Sequence, residues 1–91
     1  MPPAGYDGDM ASITVRYFAA AAEAAGREEE VWAFPSEATL DELRSALAGR
    51  YGDGMLRVLR TGSFLIDGTV RRDGGPIGGG TVDVLPAFAG G

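Results

Sequence analysis

The chain has 91 residues, 45% apolar and 23% charged, which suits one soluble domain with one modest core. No apolar run reaches the roughly 18 residues of a membrane span, and no basic-then-apolar leader marks secretion, so a cytoplasmic protein is expected. The net charge of −5, with eight scattered arginines, argues against nucleic acid as a partner; the acidity reads either as solubility or as steering toward a basic partner.

Residues 1–11, MPPAGYDGDMA, lack apolar periodicity and read as a disordered leader. ITVRYF, Ile13 to Phe18, alternates as a half-buried strand. Ile13, Val15 and Tyr17 point one way, and Thr14, Arg16 and Phe18 the other, which leaves Phe18 as an apolar residue on the more polar face. AAAAEAA, Ala19 to Ala25, has high helix propensity and stops at Gly26; it is too short to stand alone and predicts one or two turns between strands. EEEVWAF, Glu28 to Phe34, predicts a second strand ended by Pro35, whose inward pair is either Val31 with Ala33 or Trp32 with Phe34.

TLDELRSALAGRYG carries the clearest helix signal. Thr39 with Glu42 three residues on is a capping box, and Leu40, Leu43 and Leu47 share one face. Gly52 is the expected stop, and MLRVLR, Met55 to Arg60, reads as a further helical turn. Asp67-Gly68 predicts a hairpin between Phe64–Ile66 and Thr69–Arg71. Asp73 to Gly80 reads as a flexible stretch. It leads into a strand rather than a helix, which argues against a phosphate-cradling loop. The last strand follows, with Val82 and Val84 on one face and Asp83 and Leu85 on the other. Pairing should end at Pro86, which has no N–H to donate. The order of elements implies an α+β roll, a mixed sheet on one main helix with its other face partly open. The expected division is a leader at 1–11, a domain at 12–85 and a flexible tail at 86–91.

The missing residues narrow the chemistry. There is no histidine to titrate near neutrality, and no cysteine or lysine to act as nucleophile. Thiolate and histidine metal sites are thereby excluded, which leaves only carboxylate sites; no metal site is expected. The absence of cysteine also excludes disulfides, and the absence of lysine excludes side-chain self-chaining. Carboxylates, hydroxyls, arginines and the chain termini remain, so a self-sufficient enzyme is not expected.

The chain ends LPAFAGG, Leu85 to Gly91. Two terminal glycines fit a frayed end. They also fit a reactive terminal carboxylate on an approach slim enough for a narrow channel. Residues 86–91, extended, reach roughly 20 Å, and Phe88 offers an apolar anchor before the slim part. With 15 glycines among 91 residues, a terminal pair arises by chance in about 3% of such chains, so the dipeptide alone is only moderately specific. A carboxylate is a weak electrophile. To become an acyl donor it needs a better leaving group, such as an adenylate, and the ATP for that step would be used by a partner enzyme rather than bound here.

YFAAAAEAAG at 17–26, FLIDGTVRR at 64–72 and VDVLPAFAGG at 82–91 resemble the small subunit of molybdopterin synthase, within the β-grasp, ubiquitin-like sulfur carriers that also include the thiamine-biosynthesis carrier. The likeness covers residues 12–91, and the alanine-rich turn ending at Gly26 favours the molybdopterin type. The resemblance implies a β-grasp fold. It implies adenylation of Gly91 by a ubiquitin-activating-like enzyme, conversion to a thiocarboxylate, and sulfur transfer to a pterin precursor held by a large synthase subunit. It maps the reactive end onto Gly90 and Gly91 and an apolar docking patch onto Phe18, Val70 and Leu85, with Pro86 and Phe88 in the tail that a partner would grip. Ala87 stands where the family often has proline. Carriers for thiamine, cysteine or sulfur-containing natural products, a ubiquitin-like modifier joined through Gly91, and a binding module with an inert tail are the alternatives.

Overall fold

The computed structural model describes residues 10–35, 37–78 and 80–87. Its elements run β1 (Met10–Tyr17), α1 (Ala20–Ala25), β2 (Glu29–Pro35), α2 (Leu40–Tyr51), α3 (Asp53–Thr61), β3 (Ser63–Ile66), β4 (Thr69–Arg71) and β5 (Gly80–Leu85). They form one mixed sheet in the order β2-β1-β5-β3-β4. The first and last strands lie side by side at its centre and run parallel, with Tyr17 opposite Val84; every other pairing is antiparallel. This is the ubiquitin-like β-grasp roll expected from the sequence.

The alternating strands bury their apolar sets on one face. Ile13, Val15 and Tyr17 of β1, Phe64 and Ile66 of β3, and Val82 and Val84 of β5 all turn inward. The helices cover them with Leu40, Leu43 and Leu47 from α2, Met55, Val58 and Leu59 from α3, and Ala21 and Ala25 from α1. α2 starts with the predicted capping box: the Glu42 N–H donates to Thr39 Oγ1 at 3.2 Å, and the Thr39 N–H donates to Glu42 Oε1 at 2.8 Å. Asp67 and Gly68 both have positive φ, 50° and 86°, as a tight two-residue hairpin requires. α1 ends, as predicted, at Gly26 in the left-handed conformation.

The structure resolves the choice in β2. Trp32 and Phe34 face the core with their rings stacked 5.5 Å apart, while Val31 is 66% exposed. Arg50, on the last turn of α2, lies 5.4 Å over the Trp32 ring and covers it.

Three expectations are corrected. β1 starts at Met10, so Met10 and Ala11 belong to the sheet rather than to a leader; they extend the ladder to Pro35 and Phe34 of β2. The rest of that leader, residues 1–9, lies outside the described residues. The further turn at Met55–Arg60 is a nine-residue helix, because Met55, Val58 and Leu59 make a buried i, i+3, i+4 stripe that tertiary packing rewards. The glycine-rich stretch is not loose in its described part. Pro76 bridges Thr39, the Ile77 N–H donates to the Ala38 carbonyl at 3.0 Å, and Ile77 is buried in the core. Gly74 lies so close to α2 that a Cβ there would sit 2.2 Å from the Asp41 carboxylate.

Candidate functional site

The candidate site grows from the point where β5 releases the chain. The Phe18 N–H donates to the Val84 carbonyl at 3.2 Å, which carries the β1–β5 ladder one residue beyond β1. Phe18 therefore stands beside Leu85 on the outer face of the sheet. The chain then turns sharply at Ala19, with φ 51°, and enters α1, so Phe18 stays at the end of the sheet. β5 ends at Leu85, and Pro86, which lacks an N–H, follows half-buried, with Ala87 exposed. Phe88, Gly90 and Gly91, read above as anchor and reactive end, lie outside the described residues.

Register assigns the rest of the face. Leu85 is opposite Ser63; in the adjacent row Arg16, Asp83, Leu65 and Val70 line up across β1, β5, β3 and β4. Phe18 and Leu85 are thus strand neighbours, whereas Val70, 49% exposed, is two strands from Leu85. Leu65 stands between them. Sequence reasoning passed over Leu65, although its position between the inward Phe64 and Ile66 dictates an outward side chain. Arg16 pairs with Asp83 at 3.0 Å and lies 5.4 Å over the Phe18 ring. The patch is therefore apolar at Phe18, Leu85, Leu65 and Val70, with one internally compensated ion pair.

A second residue missed from the sequence holds this end of β5 from behind. Gly62 follows α3, donates its N–H to the Val58 carbonyl at 2.7 Å, and leads into Ser63 opposite Leu85. A Cβ at Gly62 would lie 2.1 Å from the Leu85 carbonyl oxygen and 2.8 Å from the Val58 carbonyl oxygen. Only a residue without a side chain lets the end of α3 press this closely on the last residue before the tail.

The opposite edge of the sheet is held by a charged cluster. Glu30, with its side chain 8% exposed, accepts a hydrogen bond from the Tyr17 hydroxyl at 2.6 Å and another from the Tyr51 hydroxyl. Arg27 and Arg50 each approach its second oxygen to 3.7 Å. Burial acts to raise the Glu30 pKa, but the two hydroxyl donors and the arginines outweigh it and hold the carboxyl below its ordinary value. Burial, reinforced by Glu30, pushes the Tyr17 hydroxyl far above the usual tyrosine range and raises Tyr51 as well. The cluster ties β1, β2 and α2 together and supplies no free nucleophile or base.

A small mixed roll, with its first and last strands paired at the centre and its last strand ending beside an apolar patch, defines a ubiquitin-like β-grasp protein. Its family follows from sequence: the model of the ThiS family matches residues 15–91, and the chain belongs to that family of ubiquitin-like sulfur carriers. The match includes Phe18, Val70, Leu85 and the whole tail. Among curated proteins, none matches the sequence.

Solved structures share the fold. The solution structure of the Haloferax volcanii protein HVO 2177 superposes with a TM-score of 0.75 at 24% identity, covering 91% of this chain and 89% of that one. The crystal structure of SAMP1, a small archaeal modifier protein of Haloferax volcanii, gives 0.70 at 22% identity, covering 88% and 99%. A Pyrococcus furiosus protein described as a candidate molybdopterin converting factor, subunit 1, gives 0.69 at 19% identity, covering 86% and 99%. Among the described residues, no helix is long and apolar enough to cross a membrane.

Proposed function

We propose that this chain carries sulfur on its own C-terminus, as the small subunit of a molybdopterin synthase. An activating enzyme docks on Phe18, Leu65, Val70 and Leu85 and receives Pro86–Gly91 in its channel. The Gly91 carboxylate attacks the α-phosphorus of ATP, releasing diphosphate and leaving an acyl-adenylate. A sulfide-level nucleophile then attacks the acyl carbon, AMP departs, and Gly91 ends as a thiocarboxylate. A large synthase subunit would take the same tail and pass its sulfur to a pterin precursor, with water restoring the carboxylate.

The observation that carries this reading is the exit of the chain at Pro86 directly beside the Phe18–Leu85 pair, at the end of a family match that runs through Gly91. A partner seated on that pair lies at the root of a tail able to reach roughly 20 Å into it. Incubation with ATP, an activating enzyme and a sulfur donor, followed by intact mass measurement, should show one oxygen exchanged for sulfur. An unchanged mass under verified enzyme activity refutes the carrier reading. The likeness to SAMP1 supports a second reading, in which Gly91 is joined to a lysine of another protein; adducts of higher mass in cells that vanish on deletion of Gly91 would favour it.

A further inference from the structure

Four of the eight arginines converge on a single cleft, on the helix-covered side of the sheet and away from the docking face. The cleft has a volume of about 320 Å³ and is bounded by α2, the end of α3, the start of β3 and the end of β4. Arg44, Arg60, Arg71 and Arg72 line it, Phe64 and Val84 are among its apolar lining, and none of its lining residues is acidic. We propose that it binds a small ligand through a dianionic phosphoryl group.

The arginines fall into two pairs. Arg44 and Arg71 are held in place. Arg44 bonds to Asp41 at 2.6 Å and lies 5.2 Å over the Phe64 ring; Arg71 grips Asp73 through two bonds, at 2.8 and 2.9 Å, and Asp73 also accepts the Gly75 N–H. Arg60 and Arg72 have no ion pair or side-chain hydrogen bond among the described residues. With Asp41 and Asp73 set against Arg44 and Arg71, the charge at the cleft left uncompensated among the described residues is that of Arg60 and Arg72.

Two cations with no anionic partner among the described residues, brought to one cleft, repel each other, and a dianion between them relieves that repulsion. The planar guanidinium matches phosphoryl oxygens two at a time, and side chains already fixed by neighbours lose less freedom when they bind. The volume is that of a small-molecule site, and the apolar lining leaves room for a non-polar body beside the charged group. A single carboxylate of a protein partner would leave one of the two cations uncompensated. The assignment rests on the cleft alone and does not depend on what the tail does.

The test is a titration of the full chain, followed through its backbone amide resonances, at about 0.1 M ionic strength so that distant surface charges are screened. The probes are inorganic phosphate, diphosphate and AMP, with a glutamate-rich peptide as the carboxylate comparison. Saturable shifts are expected at Ser63, Arg71 and Arg72. Arg60→Gln and Arg72→Gln should each raise the Kd about tenfold, while Arg57→Gln, outside the cleft, leaves it unchanged. Saturation by the inorganic anions alone identifies a free phosphate as the ligand, and saturation by AMP alone identifies a nucleotide-borne one; either supports the proposal. Three outcomes overturn it: no saturable shift with any of the probes, equal weakening by Arg57→Gln, or shifts produced only by a glutamate-rich peptide.

Discussion

Gly62→Ala is the sharpest probe of how the fold aims the tail. Gly62 has φ −90° and ψ −163°, a conformation open to alanine, so the substitution adds one methyl group without backbone strain. That methyl would lie 2.1 Å from the Leu85 carbonyl oxygen and 3.1 Å from its carbonyl carbon, with the Val58 carbonyl oxygen at 2.8 Å. Restoring ordinary contact, near about 3.5 Å, requires Leu85 to recede by more than about 1 Å. The helix cannot give way instead, since the Gly62 N–H is bonded to that Val58 carbonyl. Overpacking of this kind costs about 1–3 kcal/mol, and each weakened hydrogen bond of the Ser63–Leu85 pairing adds about 0.5–1.5 kcal/mol. The expected loss is therefore about 2–4 kcal/mol by urea denaturation, with amide shifts concentrated at Phe18, Ser63 and Leu85. A variant within about 0.5 kcal/mol of the native chain, with those three amides unmoved, would refute the claim that Gly62 fixes the root of the tail.

Three further perturbations test other parts of the account. Phe18→Asp, Leu65→Asp or Leu85→Asp should each weaken binding to the activating enzyme at least about tenfold while costing about 1 kcal/mol or less in stability, as measured by calorimetric titration and urea melts; unfolding would instead make these side chains core. Glu30→Ala removes the acceptor of two tyrosine hydroxyls and should cost about 1–3 kcal/mol, while a neutral effect would mean that water replaces the carboxylate at no cost. The pH dependence follows from the same cluster. The Glu30 pKa is lowered by folding, so its contribution is present above about 4.5 and is lost as pH falls through the folded value; the Tyr17 pKa is raised, so its contribution is complete below about 10 and is lost at higher pH. Stability that falls on neither flank would contradict the cluster.

The parts of the molecule legible in the sequence are those governed by local rules. β1 and β5 show their inward faces by alternation, α2 announces its start with Thr39 and Glu42, and Asp67-Gly68 specifies its own turn. β2 was ambiguous because both of its faces are apolar, and the choice is made by a distant residue, Arg50, lying over Trp32. α3 is longer than its sequence pattern indicates, because one short apolar stripe looks like a single turn until the rest of the core packs against it. The loop over 73–78 gave no sign of its anchoring, since a bridge from Pro76 to Thr39 is a tertiary contact that glycine content conceals. At the candidate site, Phe18 stood out because it breaks the pattern of its face. Leu65 followed the pattern and was overlooked, and Gly62 depends on a carbonyl 23 residues away in the chain, at Leu85.

The central claim is that the terminal carboxyl of Gly91 is the reactive group, and its position at the very end of the chain tests this most directly. A single alanine appended after Gly91 leaves the fold and the docking face untouched but places a methyl-bearing residue where the slim end must enter. Incubated with ATP, activating enzyme and sulfur donor, the extended chain should show no exchange of oxygen for sulfur by intact mass, while the native chain does. Equal exchange in the untrimmed extended chain would contradict the account.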